Sequence, residues 1–150
     1  MARSGMADDS CGIARGLDLL GERWTGLVLR DVLRGFERFS DLQRELGVAP
    51  DVLSDRLAKL TRAGVVSKVE YREPGHRPRP KYVATESGIR LGLVLAALND
   101  WADEFRPVPT GRPNALRYVE GPTGQAVHLA PVDDAGRVVD DARVELQVLR

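Results

Sequence analysis

The sequence holds one cysteine and two histidines in 150 residues. A single thiol permits no internal disulfide and no cysteine-based zinc site within one chain, which fits a reducing compartment. His76 and His128 have no Ser/His/Asp spacing, phosphate loop or ligand cluster around them, so no catalysis, metal or cofactor is assigned. The longest apolar run, Leu91 to Leu98, is far short of the ~20 residues a membrane helix needs, and MARSGMADDS offers no apolar core for a signal peptide. A cytoplasmic protein with no membrane partner is expected. Net charge is missing too, because 22 basic and 22 acidic residues cancel.

What is present, 43% hydrophobic and 29% charged residues, suits one globular domain with an appendage. The stretch from Arg38 to Lys81 is the organising one. Ser40 is placed to cap a helix, with Gln43 three residues on completing a capping box, and Gly47 suits the left-handed position that ends it. Pro50 opens a second helix, Asp51 complements its positive end, and Leu53, Leu57 and Leu60 form the buried stripe. Asp51, Ser54, Asp55, Ala58 and Lys59 are left for solvent or a partner, and Gly64 ends the helix. Two helices joined by a tight turn make a helix-turn-helix, whose second helix enters the DNA major groove.

Two strands should follow. Val65 to Tyr71 alternates, with Val65, Val69 and Tyr71 on one side, and Lys81 to Thr85 can pair with it. The loop between them, REPGHRPRP, is stiffened by proline and charged by Arg72, Arg77 and Arg79, as a wing that meets phosphates or a minor groove would be. Charge distribution agrees. Ser54 to Lys81 holds eight Lys/Arg against three Asp/Glu, whereas Leu91 to Arg150 holds six against nine. A solvated charged face is the plain alternative on charge alone; the helix-turn-helix and wing favour DNA.

Upstream, Ile13, Leu17 and Leu20 recur at helical spacing, and a second helix from about Arg23 to Arg34 carries an apolar sector wide enough to be central to the core. Trp24 reads as core before it reads as a ligand-stacking ring. Downstream, Thr85 can cap a helix that is apolar around most of its circumference from Ile89 to Trp101. One small core cannot cover that surface, so a two-fold dimer is favoured over coverage by the chain's own tail.

In order and spacing, Cys11 ahead of a short helix, GERWTGLVLRDVLRG, ERFSDLQREL, VLSDRLAKL, AGVV, the proline-rich wing and KYVATESGIRL ending in DW resemble the HxlR-type winged helix-turn-helix regulators. The resemblance covers about residues 11 to 105. It implies a homodimeric regulator of transcription bound to double-stranded DNA, commonly a repressor; a two-fold dimer would set its recognition helices one DNA turn apart, which predicts an inverted-repeat operator. It further implies backbone contacts from Arg38 and Ser40, base or nearby phosphate contacts from Ser54 and Lys59, and wing contacts from Arg77 and Arg79. The chain departs from the family at Ala49, where a capping Ser or Thr is usual, and at Asp51 and Asp55, which repel phosphate though a carboxylate can accept from cytosine N4. Arg56, Lys59 and the wing would then carry more of the affinity.

Two sensing routes are open. A thiol at a helix N-terminus beside a cation favours its reactive thiolate, which makes Cys11, one turn from Arg15, a redox-sensing candidate that several family members parallel; a lone cysteine is also commonly inert. A small-molecule effector could instead occupy a dimer-seam pocket near Trp24 or Trp101.

The expected fold is α+β and mainly helical. A flexible segment 1–10 precedes a DNA-binding and dimerising body, 11–105, then a Pro/Gly linker, 106–114, and a β-rich tail, 115–150. Within the tail ALRYV, AVHLA and ARVELQVL read as strands, and Val132, Ala135 and Gly136 stand where some members carry C-x-x-C-G, which suggests a metal-free zinc-ribbon-like element. His128 is then an ordinary histidine. The rival function is a winged helix that binds protein in place of DNA, and salt dependence separates the two.

Overall fold

Five helices and one antiparallel ribbon follow in the order α1 (Gly12–Leu20), α2 (Arg23–Leu33), α3 (Phe39–Leu46), α4 (Pro50–Arg62), β1 (Val66–Tyr71), β2 (Arg79–Ala84) and α5 (Glu86–Phe105). The computed structural model describes residues 11–111 and 116–147; the expected flexible segment 1–10 lies outside them. The chain divides into two compact units, one ending at Leu95 and the other beginning at Ala96.

The first unit is built on α2. Val28, Leu29 and Val32 are buried there with Leu42 of α3, Leu53, Leu57 and Leu60 of α4, and Val65, Val66 and Tyr82 of the ribbon. Truncating any of the three α4 leucines would cost about 2–5 kcal/mol, because the i, i+4, i+7 stripe lies wholly inside. Pro50 stands at the first turn of α4, and Gly47 takes the left-handed conformation (φ +62°) that closes α3.

The start of α3 differs from the capping-box expectation. The helix begins at Phe39 with Arg38 as its N-cap and no side-chain cap, so Ser40 sits in the first turn. Tertiary pairing decides this. Arg38 is extended (φ −92°, ψ 143°) and bridges Lys81, while the Tyr82 N–H donates to the Glu37 carbonyl at 2.8 Å. Residues 37–38 thus lie against β2 through one isolated antiparallel bridge.

The wing ribbon pairs Val66 with Ala84 through Tyr71 with Arg79. β2 starts two residues before the expected Lys81, since the fixed φ of Pro80 is compatible with extended backbone. The expected apolar face of Val65, Val69 and Tyr71 holds at its root and weakens outward: Val65 is buried, whereas Val69 is 40% exposed and Tyr71 half-buried. A ribbon that projects past the core meets water on both faces. Its tip, Glu73-Pro74-Gly75-His76, is a type II turn, with proline at the second position, φ +80° at Gly75 and the His76 N–H donating to the Glu73 carbonyl.

Thr85 does cap α5, as expected: its Oγ1 accepts from the Gly88 N–H at 3.2 Å and donates back to the Gly64 carbonyl at 2.6 Å. Gly88 and Gly92 let α5 approach closely, because a Cβ at Gly88 would collide with the Val65 carbonyl oxygen and one at Gly92 would come within 2.8 Å of Leu33 Cδ1.

In the second unit the three expected tail strands reduce to isolated bridges, Val119 with Ala126 and Val132 with Val138, and a 3-10 helix, Asp141–Arg143, capped by Asp140. Tight turns use up the residues that ladders would need. In the second turn Asp133 accepts from the N–H groups of Ala135 and Arg137, both at 3.0 Å, and from the Arg137 guanidinium, and these bonds hold its carboxyl below the usual aspartate range. Val144 to Gln147 is irregular, and Val148, part of the alternation read in the sequence, lies outside the described residues.

Candidate nucleic-acid interface

The face of α4 turned from the core presents Asp51, Ser54, Asp55, Ala58 and Arg62, all exposed. Arg62 continues the Ser54–Ala58 line at helical spacing, so its place was readable in the sequence though it was not picked out there. Beside this face runs a shallow groove lined by Ser54, Ala58, Thr61, Arg62, Lys68 and Tyr82. It joins the helix to the ribbon, so a polyanion laid along α4 would also meet Lys68 of β1. Neither Arg62 nor Lys68 forms an ion pair among the described residues.

The wing adds Arg72, Arg77 and Arg79, all exposed, around the Pro74–Gly75 turn. Several basic groups already have an acidic partner. Arg38 pairs with Glu73 and lies 5.0 Å from the Tyr71 ring centre, and Lys81 Nζ pairs with Glu37 at 2.9 Å. Arg56 and Lys59, expected at the DNA surface, both pair with Glu22, from the turn before α2, with side chains only 21% and 26% exposed. Lys59 donates to Glu22 at 2.9 Å, and that bond, with the charge of both cations, holds the Glu22 carboxyl below its ordinary range. Ser40 is exposed in the first turn of α3.

A second electrostatic cluster supports the helix-turn-helix from behind. Asp31 of α2 is buried, and it accepts from Arg30 Nε at 2.7 Å and from Arg34 Nη1 at 2.9 Å; Arg34 also reaches Glu45 of α3 at 3.0 Å. Burial alone would raise the Asp31 pKa, but the two arginines outweigh it and lower it. Its two arginine partners are near neighbours in sequence, at i−1 and i+3; what the sequence does not show is the burial of Asp31 and the reach of Arg34 on to Glu45 of α3.

The sensing candidates fall in both units, Cys11 and Trp24 in the first and Trp101 in the second. Cys11 is the N-cap of α1, half-buried, with its carbonyl accepting from the Arg15 N–H. Trp24 packs against the core of the first unit, and the Arg23 guanidinium lies 5.7 Å from its ring centre. In the second unit Trp101 stands 6.1 Å from Phe105, centre to centre, at the edge of a depression that His128 and Leu129 also line. Among the described residues no three His, Cys, Asp or Glu side chains gather as a metal site, and no helix is long and apolar enough to cross a membrane.

A helix-turn-helix followed by an arginine-bearing two-stranded wing defines the class of winged helix-turn-helix proteins. The comparisons are narrower. The family model described as HxlR-like helix-turn-helix matches residues 19–109, and the chain belongs to that family. An uncharacterised HTH-type transcriptional regulator of Mycobacterium tuberculosis is 40% identical over 106 residues, covering 71% of this chain and 66% of the relative, just under two thirds of its length. Among solved structures, PA1607, described as a transcription factor, is similar over 96% of this chain and 99% of its own, with 29% identity and a TM-score of 0.76. The redox regulator HypR in its oxidised form is similar over 65% of this chain and all of its own, with 25% identity and a TM-score of 0.58.

Proposed function

We propose that the protein is a cytoplasmic, homodimeric transcriptional regulator that binds double-stranded DNA at an inverted-repeat operator and acts as a repressor. The observation that carries this reading is the groove that joins Ser54 and Arg62 of α4 to Lys68 of β1, the strand that leads into the exposed wing bearing Arg77 and Arg79. Phosphate contacts from those cations would position the duplex, and Ser54 on α4 would read base edges. The family assignment supports the same reading.

The dimer reading rests on α5 and α1. Ile89, Leu93, Val94, Leu98, Trp101 and Phe105 are each more than half exposed on α5, as are Ile13 and Leu17 on α1. Two-fold pairing through these helices would cover that apolar surface and set two α4 helices about one DNA turn apart, ~34 Å. The signal is read as oxidation or electrophile attack at Cys11, supported by its half-buried place at the head of α1 and by the likeness to a redox regulator. An effector near Trp101 is the second route.

A selection experiment tests the function: fragmented genomic DNA from the source organism is retained on the reduced protein across a salt series and sequenced. Recovery of a few fragments sharing an inverted repeat supports the reading. Retention without sequence preference, or none, sinks it in favour of a protein-binding winged helix.

A further inference from the structure

Glu22 occupies the N-cap position of α2 in extended conformation (φ −99°, ψ 121°), but its side chain caps nothing. Residues favoured there, Ser, Thr, Asp and Asn, turn back onto the helix they begin. Glu22 reaches outward to α4 and places one carboxylate between Arg56 and Lys59, three residues apart on that helix. Arg56 Nε is buried without a hydrogen-bond partner, so this guanidinium is drawn inward towards Glu22 at the expense of one of its own donors.

The contrast with the rest of α4 is direct. Arg62, one turn past Ala58, is exposed and carries no ion pair among the described residues, whereas Arg56 and Lys59 are mostly covered. A carboxylate held beside two cations engages the donors and charge that a phosphate would use. We propose that Glu22 is an internal competitor for the helix-turn-helix: it withholds Arg56 and Lys59 from DNA phosphates and leaves Arg62, Lys68 and the wing arginines to make the backbone contacts. The inference rests on the DNA-binding reading above and adds to it which cations are in use and which residue limits affinity.

The ion pairs are partly solvated, so their removal leaves the fold intact while two charges are released. Glu22→Gln is therefore expected to melt at the wild-type temperature and to bind a selected duplex several-fold more tightly. Its plot of log affinity against log salt steepens by about 1–2, since each added phosphate contact contributes ~0.9. Neutralising one acid also shifts the overall charge, and a double substitution, Arg56→Gln with Lys59→Gln, separates that effect. In the wild-type background it is expected to change affinity little; in the Glu22→Gln background it removes the gain.

An unchanged salt slope in Glu22→Gln, or an equal loss from the double substitution in both backgrounds, overturns the proposal while wild-type binding leaves the DNA reading in place. If neither wild type nor Glu22→Gln binds duplex DNA, the DNA reading fails and the competitor role with it.

Discussion

The Arg38 guanidinium lies 5.0 Å from the centre of the Tyr71 ring and pairs with Glu73, so one side chain at the foot of α3 ties down the outer end of β1 and the start of the wing loop. Replacing it by alanine removes an exposed ion pair and a cation–π contact, each worth about 1 kcal/mol or less. Arg38→Ala is expected to keep its melting temperature within a few degrees. Amide exchange at Arg72 to His76 should quicken, and duplex affinity should fall alike for every sequence. Unchanged wing exchange would show that the contact does not order the wing.

Asp31 makes stability depend on acid. Its folded pKa lies below the ordinary value near 3.8, so its contribution is fully present above that value and is lost as pH falls through the lower folded value. Denaturant titrations of the wild type should therefore lose stability below about pH 4. Asp31→Asn, which cannot ionise, should show a smaller slope there. At neutral pH the substitution is expected to cost about 2–3 kcal/mol, under the range for fully buried pairs because Arg30 and Arg34 are partly exposed.

Gly88 is the tightest point between α5 and the wing root. An alanine there would drive its Cβ into the Val65 carbonyl oxygen, an atom of the backbone that cannot swing away. Gly88→Ala should destabilise by about 1–3 kcal/mol, whereas Gly92→Ala, which meets only the end of Leu33, should cost less. Equal melting temperatures for the two would contradict this packing.

Those three relationships show what local sequence could reveal. The leucine stripe of α4, Gly47, Pro50 and Thr85 announced themselves because each acts through its own segment, by periodicity, a left-handed turn or a cap. Ser40 carried an equally clear local signal, and pairing of Arg38 with Lys81 across the fold displaced it from the cap. The tail strands failed for a related reason: apolar alternation was present, but short turns such as Asp133–Arg137 take the residues that a ladder needs. At the candidate site, Ser54, Arg77 and Arg79 were legible from helix face and wing composition. The fate of Arg56 and Lys59 was not, since their partner Glu22 lies more than thirty residues earlier.

The exposed apolar line of α5 gives a test of assembly. Leu93 is 53% exposed, so a charge there does not enter the core of the first unit. Sedimentation of the wild type is expected to give about twice the 16.5 kDa chain mass, and Leu93→Glu should shift it towards a single chain with an unchanged helical signal. A wild type that sediments as one chain would sink the dimer.

In the proposed function α4 and the wing read DNA, with phosphate contacts and base contacts divided between different side chains. The most direct measurement is the affinity of the wild type, Arg77→Ala with Arg79→Ala, and Ser54→Ala for a selected operator and for a scrambled duplex across a salt series. The wing substitutions are expected to weaken both duplexes by similar factors and to flatten the salt slope by about 1–2, while Ser54→Ala narrows the gap between operator and scrambled DNA. Affinities that ignore all three substitutions, at every salt concentration, would contradict the account.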